Sequence, residues 1–168
     1  MKTRNLPTLE AVALAALLAI AGLSLFAAPF LPPAVAATDE VLFTGWLHVD
    51  DHNVSDLVLS VTVDGDRCLY AEVDGSGRFS VWVPVGSQAL LSFEKPGHLI
   101  KEVSVDTRNS MNTRTAQRAN RKVKFDVVLE PIEKRPGRKY EGPVGSLSFV
   151  NGSGTMKVKH DLQVVADQ

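Results

Sequence analysis

Lys122-Val-Lys-Phe-Asp-Val-Val-Leu-Glu130 places Val123, Phe125, Val127 and Leu129 on one side of an extended chain. Lys122, Lys124, Asp126 and Glu130 fall on the other. A helix would scatter these residues around its axis. A strand with one greasy and one wet face sorts them cleanly, because successive strand side chains point in opposite directions.

The same period of two recurs upstream. Val41, Phe43, Gly45, Leu47 and Val49 alternate with Thr44, Trp46 and His48. Leu57, Leu59, Val61 and Val63 form a second run; Leu69, Ala71 and Val73 a third; Phe79, Val81 and Val83 a fourth, with Arg78, Ser80 and Trp82 outward. Ala89, Leu91 and Phe93 make the fifth, Val103 and Val105 the sixth. Turn residues separate them: Asp64-Gly65-Asp66, Asp74-Gly75-Ser76-Gly77, Pro84-Val85-Gly86-Ser87 and Lys95-Pro96-Gly97-His98. Proline pre-sets one backbone angle of such turns, and glycine supplies the left-handed one. Half-wet strands belong to antiparallel sheets that bury their apolar faces against each other. The expectation is an all-β fold: a seven-stranded antiparallel β-sandwich over residues 38–132. A basic linker (133–143) and a C-terminal hairpin with tail (144–168) follow. The hairpin is read from Leu147-Ser-Phe-Val150, Asn151-Gly-Ser-Gly154 and Thr155-Met-Lys-Val-Lys-His160.

The start of the chain has a different character. Lys2 and Arg4 precede an uncharged stretch from Ala11 to Thr38, closed by Pro29, Pro32, Pro33 and Ala34-Val35-Ala36-Ala37. A basic start, an apolar middle and small residues before a cleavage point describe a secretory signal peptide, here residues 1–37 with a signal helix. The expected location is periplasmic or extracellular. An uncleaved N-terminal membrane anchor, with the domain outside the cytoplasm, is the alternative, since about 18–20 apolar residues can span a bilayer. Without residues 1–37 the chain carries 16 basic and 18 acidic residues, a net charge of −2. That balance speaks against a nucleic-acid binder. A chain of roughly 130 residues buries about two-thirds of its unfolded surface, so one core suffices. The lone Cys68 can form no disulfide within the chain.

Several quoted segments, taken in order, resemble the carboxypeptidase-regulatory-like, or transthyretin-like, β-sandwich domains over residues 41–131. Phe43-Thr-Gly45-Trp-Leu-His-Val-Asp50 is similar to the family's first strand, with glycine mid-strand and aspartate at its end. Asp74-Gly75-Ser-Gly77-Arg78-Phe79 resembles its turn before a strand that begins with Phe. Pro84-Val-Gly86, Leu91-Ser-Phe-Glu-Lys-Pro-Gly97-His98 and the closing Phe125-Asp-Val-Val-Leu-Glu-Pro131 complete the likeness. The resemblance implies a structural or ligand-contact module in secreted or envelope proteins. The wider fold includes hydroxyisourate hydrolase, whose Tyr-Arg-Gly-Ser ending is not met here: Tyr140 is followed by Glu141 and Gly142. The expectation is therefore a non-catalytic module without a cofactor. A small hydrolase or metal-dependent enzyme on the same fold is the alternative.

Three groups of residues stand out as candidate contacts. His48, Asp50 and His52 fall on one side of an extended chain and carry metal-ligating atoms, though a solvated strand end explains them as well. Arg108, Arg114, Arg118, Arg121 and Lys122 lie in a stretch rich in Asn, Thr and Gln that reads as a solvated loop between the sixth and seventh strands, able to grip an anionic glycan or lipid. Trp46 and Trp82 fall on the outward register. Either the C-terminal hairpin covers them, through Leu147, Phe149, Met156 and Val158, or they form a partner surface for an envelope protein or glycan. An edge strand or the hairpin is a further contact candidate, by β-augmentation. No nucleophile elbow, phosphate loop or paired-cysteine motif is present in the sequence.

Overall fold

Most of the period-two alternation is realised as strands, with breaks at Tyr70 and at Phe125–Asp126. The computed structural model describes residues 39–167, which are mostly β with one short helix. The signal-peptide reading of residues 1–37 lies outside the described residues. The strands are β1 (Glu40–His48), β2 (Val58–Val63), β3 (Arg67–Leu69), β4 (Ala71–Val73), β5 (Arg78–Pro84), β6 (Gln88–Glu94) and β7 (Lys101–Asp106). Helix α1 (Arg114–Asn120) precedes β8 (Lys122–Lys124) and β9 (Val127–Val128). Then come β10 (Arg138–Tyr140), β11 (Gly145–Phe149), β12 (Met156–His160) and β13 (Val164–Ala166).

One sheet runs β4-β5-β1-β8, with β9 continuing beside β1; a second runs β12-β11-β7-β6-β2-β3. Their apolar faces meet in a shared core. Phe79 on β5 packs edge-on against Phe93 on β6, with ring centroids 5.3 Å apart, and Phe125 stands 5.2 Å from Phe79. Phe43, Phe79, Phe93, Leu91 and Leu129 are fully buried. Each such side chain contributes roughly 2–3 kcal/mol by leaving water.

Four sequence expectations are corrected. The third alternating run is not one strand: Tyr70, 85% exposed, marks where the chain leaves β3 in one sheet and enters β4 in the other. The sheets are not wholly antiparallel. β8 and β9 lie parallel to β1, and β11 lies parallel to β7. Alternation of side chains fixes which face is buried but carries no strand direction, so the reading could not tell the two apart. The basic stretch 108–122 is not a loop throughout. Thr113 caps α1, its hydroxyl accepting the Ala116 N–H at 3.1 Å. Buried Asn120 donates to the carbonyls of Ser110 (2.8 Å) and Gly154 (2.7 Å), tying the helix to the β11–β12 turn. The 133–143 segment is not a free linker either: it holds a 3-10 turn (Ile132–Lys134), and β10 pairs antiparallel with β13.

Gly45 decides how the seventh run joins the first sheet. β8 and β9 keep one register along β1, but the chain departs from the ladder at Phe125 and Asp126. The Phe125 carbonyl presses onto Gly45 so closely that an added Cβ would sit 1.6 Å from its oxygen. The Asp126 side chain takes the place of a ladder acceptor and receives the Trp46 N–H at 3.0 Å. Only glycine leaves room for this approach.

Candidate functional site: a tryptophan-bearing sheet face

On the outer face of the five-stranded sheet, the register sets residues in rows. Trp82, Leu42 and Lys122 share one row; Glu72, Ser80, Thr44 and Lys124 share the next but one along β1. Arg78 and Trp46 pair in a further row. Trp46 is 44% exposed and Trp82 is 53% exposed. This settles the choice left open by the sequence: the C-terminal hairpin does not cover them. Instead β11 joins the six-stranded sheet beside β7, sends Leu147 and Phe149 into the core, and leaves Met156 and Val158 exposed.

The two indoles are four residues apart along the strand direction, or about 14 Å, and on neighbouring strands. Lys122 and Lys124 run alongside them, and Arg78 stands next to Trp46. None of these three cations forms an ion pair among the described residues. Arg121 and Trp82 line a cleft of about 310 Å³ together with Glu40 and Gln117. Arg114, Arg118 and Arg121 follow helical spacing, so the helix gathers them on neighbouring positions of one face. Arg108 stands apart from this group. Asp106 holds its guanidinium in a two-pronged contact, and that hydrogen bond keeps the Asp106 carboxyl below its ordinary range.

The His48, Asp50 and His52 set does not assemble. β1 ends at His48, whose Nε2 lies 3.2 Å from Asp126 Oδ2. Asp50 is paired with Lys134, and this hydrogen bond lowers its pKa. His52 has a left-handed backbone with φ of 55° after the chain has turned at Asp50 and Asp51, so the period of two stops short of it. Among the described residues no group of three or more His, Cys, Asp or Glu side chains is placed to hold a metal ion. Cys68 is exposed on β3.

One polar cluster escaped the sequence reading. Glu130 accepts from Arg135 Nε at 3.0 Å and from the Tyr140 hydroxyl at 2.9 Å. Partial burial pushes the Glu130 carboxyl up, but the Arg135 and Tyr140 hydrogen bonds outweigh it and leave its pKa lowered. Burial and the Glu130 carboxylate together push the Tyr140 phenol up to about 12. Lys101 lies over the Tyr140 ring, 5.2 Å from its centroid, and burial lowers its pKa. The available signal was Glu130 at the outer end of the closing run, followed by the basic stretch Lys134–Lys139. Nothing in spacing alone says that this stretch folds back.

No family model, curated protein or solved structure matches this chain. Among the described residues no helix is long and apolar enough to cross a membrane.

Proposed function

We propose that this chain is an exported, non-catalytic β-sandwich module whose tryptophan-bearing face holds an acidic polysaccharide of the cell envelope or the extracellular space. The observation that carries the reading is the shared face of Trp46, Trp82, Arg78, Lys122 and Lys124 on paired, rigid strands. Indoles offer flat apolar surface with one polar N–H, a match for the alternating C–H and hydroxyl faces of sugar rings. The cations beside them suit carboxylate or sulfate substituents, by charge-assisted hydrogen bonds. A separation of about 14 Å between the indoles exceeds one sugar ring and suits a polymer. The leader pattern in residues 1–37 supports export. Mid-strand Gly45 and the Asp74–Gly77 turn, where Asp74 accepts the Ser76 and Arg78 N–H groups, support the resemblance to carboxypeptidase-regulatory-like domains.

Tryptophan fluorescence tests this directly, because the chain's two tryptophans are both on the proposed face. Titration with polygalacturonate is expected to change the emission, and added salt is expected to weaken the effect by screening. Dextran, a neutral polymer, is expected to leave the emission unchanged. An equal response to both polymers, or none to either, refutes the reading.

A further inference from the structure

The edge of the six-stranded sheet offers a different kind of surface. The six-stranded sheet ends in β12, which among the described residues pairs with β11 on one side only. The Val150 N–H donates to the Thr155 carbonyl and the Asp161 N–H to the Val144 carbonyl, each at 2.9 Å. In an antiparallel ladder, bonded and non-bonded pairs alternate. The backbone groups of Thr155, Lys157, Lys159 and Asp161 therefore face β11, and those of Met156, Val158 and His160 point away from the sheet.

Below this edge the two sheets part. A groove of about 210 Å³ opens between them, with Phe125, Val127, Leu147 and Val158 on its walls and Lys101, Asp126 and Lys159 bordering it. Met156, Val158 and Val128 are 41%, 48% and 55% exposed. Strand alternation turns the side chains of Lys157 and Lys159 toward the other face of β12; both are exposed and neither is ion-paired among the described residues.

We infer that β12 is a strand-addition site for an extended segment of another protein in which apolar and acidic residues alternate. The outward N–H and C=O groups of Met156, Val158 and His160 bond the incoming backbone. Its apolar side chains fall on the groove side, beside Met156 and Val158. Its carboxylates fall on the other face, beside Lys157 and Lys159, where opposite charges on neighbouring strands attract. The same lysines argue against a second copy of this chain as the occupant. A two-fold pairing of β12 with itself about Val158 sets Lys157 opposite Lys159 twice, and like charges directly opposite are destabilising.

The test is selection of displayed random peptides of about ten residues, enough to cover a typical strand, on the full chain. Enriched peptides are expected to alternate apolar and acidic residues and to shift the backbone amide resonances of residues 156–160. Lys157→Glu/Lys159→Glu, a surface change that leaves the circular dichroism spectrum intact, is expected to weaken these peptides at least about tenfold. Val158→Pro removes one outward N–H and is expected to abolish binding. Failure to enrich any peptide, enrichment without acidic alternation, or equal binding by the Lys157→Glu/Lys159→Glu protein overturns the inference. Sedimentation showing a dimer that Val158→Pro dissolves also overturns it, in favour of a second copy.

Discussion

Trp82 on the outer sheet face and Val158 on the β12 edge are about equally exposed, at 53% and 48%, yet they offer opposite kinds of contact. β1 and β5 are paired on both sides, so the tryptophan face has no spare backbone and can recognise only through side chains. β12 has a row of outward backbone groups with no strand partner among the described residues, and its side chains only refine what that row accepts. Exposure of an apolar residue says that something can bind; the pairing state of its strand says which chemistry can do so.

The Gly45 contact lies between the two regions and offers the strongest way to break both. Gly45→Ala forces the Phe125 carbonyl away, which disturbs the Asp126 anchor under Trp46 and the Phe125 wall of the groove together. The expected loss is about 3 kcal/mol or more, read as a lower midpoint in denaturant unfolding. An unchanged midpoint shows that the close approach does not exist in solution.

Trp46→Ala/Trp82→Ala separates the regions. Both side chains are half in water, so stability is expected to shift by less than about 1 kcal/mol. Polygalacturonate affinity, followed by calorimetry, is expected to fall about a hundredfold, as two central aromatic contacts are removed. Peptide binding at β12 is expected to stay as it was. A joint loss of both activities shows that the two surfaces are one site.

Asn120→Leu probes the opposite separation. Two buried carbonyls, of Ser110 and Gly154, lose their donor, at a cost of about 2 kcal/mol. The turn that leads into β12 is loosened while Trp46 and Trp82 keep their strands. Faster hydrogen exchange is expected in residues 150–156 and not in β1 or β5. Uniform exchange across the chain contradicts this division.

The smallest effect belongs to Tyr140, whose ring supports Lys101 at the rim of the groove. Its phenol is held neutral up to about 12 against an ordinary 10.0. The folded state thus resists ionisation that the unfolded chain accepts. The associated stability is complete below about pH 10 and is lost as pH rises toward 12. In Tyr70→Phe, which leaves Tyr140 as the only tyrosine, the phenolate absorbance step is expected near 12. A midpoint near 10 means that the ring is neither buried nor bonded to Glu130 in this way.

Much of the fold was legible because a sheet with one wet face writes its period into the chain. Val41 to Leu47 and Phe79 to Val83 alternate without a break, and they lie in β1 and β5. The Asp64-Gly65-Asp66 turn was legible too, with Asp64 and Gly65 both left-handed between β2 and β3. Helix α1 was not legible, because its buried face consists of Ala116 and Asn120 alone. Two small or polar residues make no hydrophobic stripe, and the helix depends on the turn it packs against. At the site, the outward register of Trp46 and Trp82 was plain. The ion pair of Arg108 was not: its partner Asp106 lies just before the basic stretch, and nothing in the spacing marks the two as partners.

Local alternation and turn chemistry were enough to determine an all-β chain, its inward faces and the aromatic residues left outside, since these depend on neighbours one to four positions away. Strand direction, the split at Tyr70, the fold-back of β10 and β13 and the open groove under β12 were decided only in three dimensions. Each depends on which distant backbone groups find one another, and side-chain periodicity carries no record of that choice.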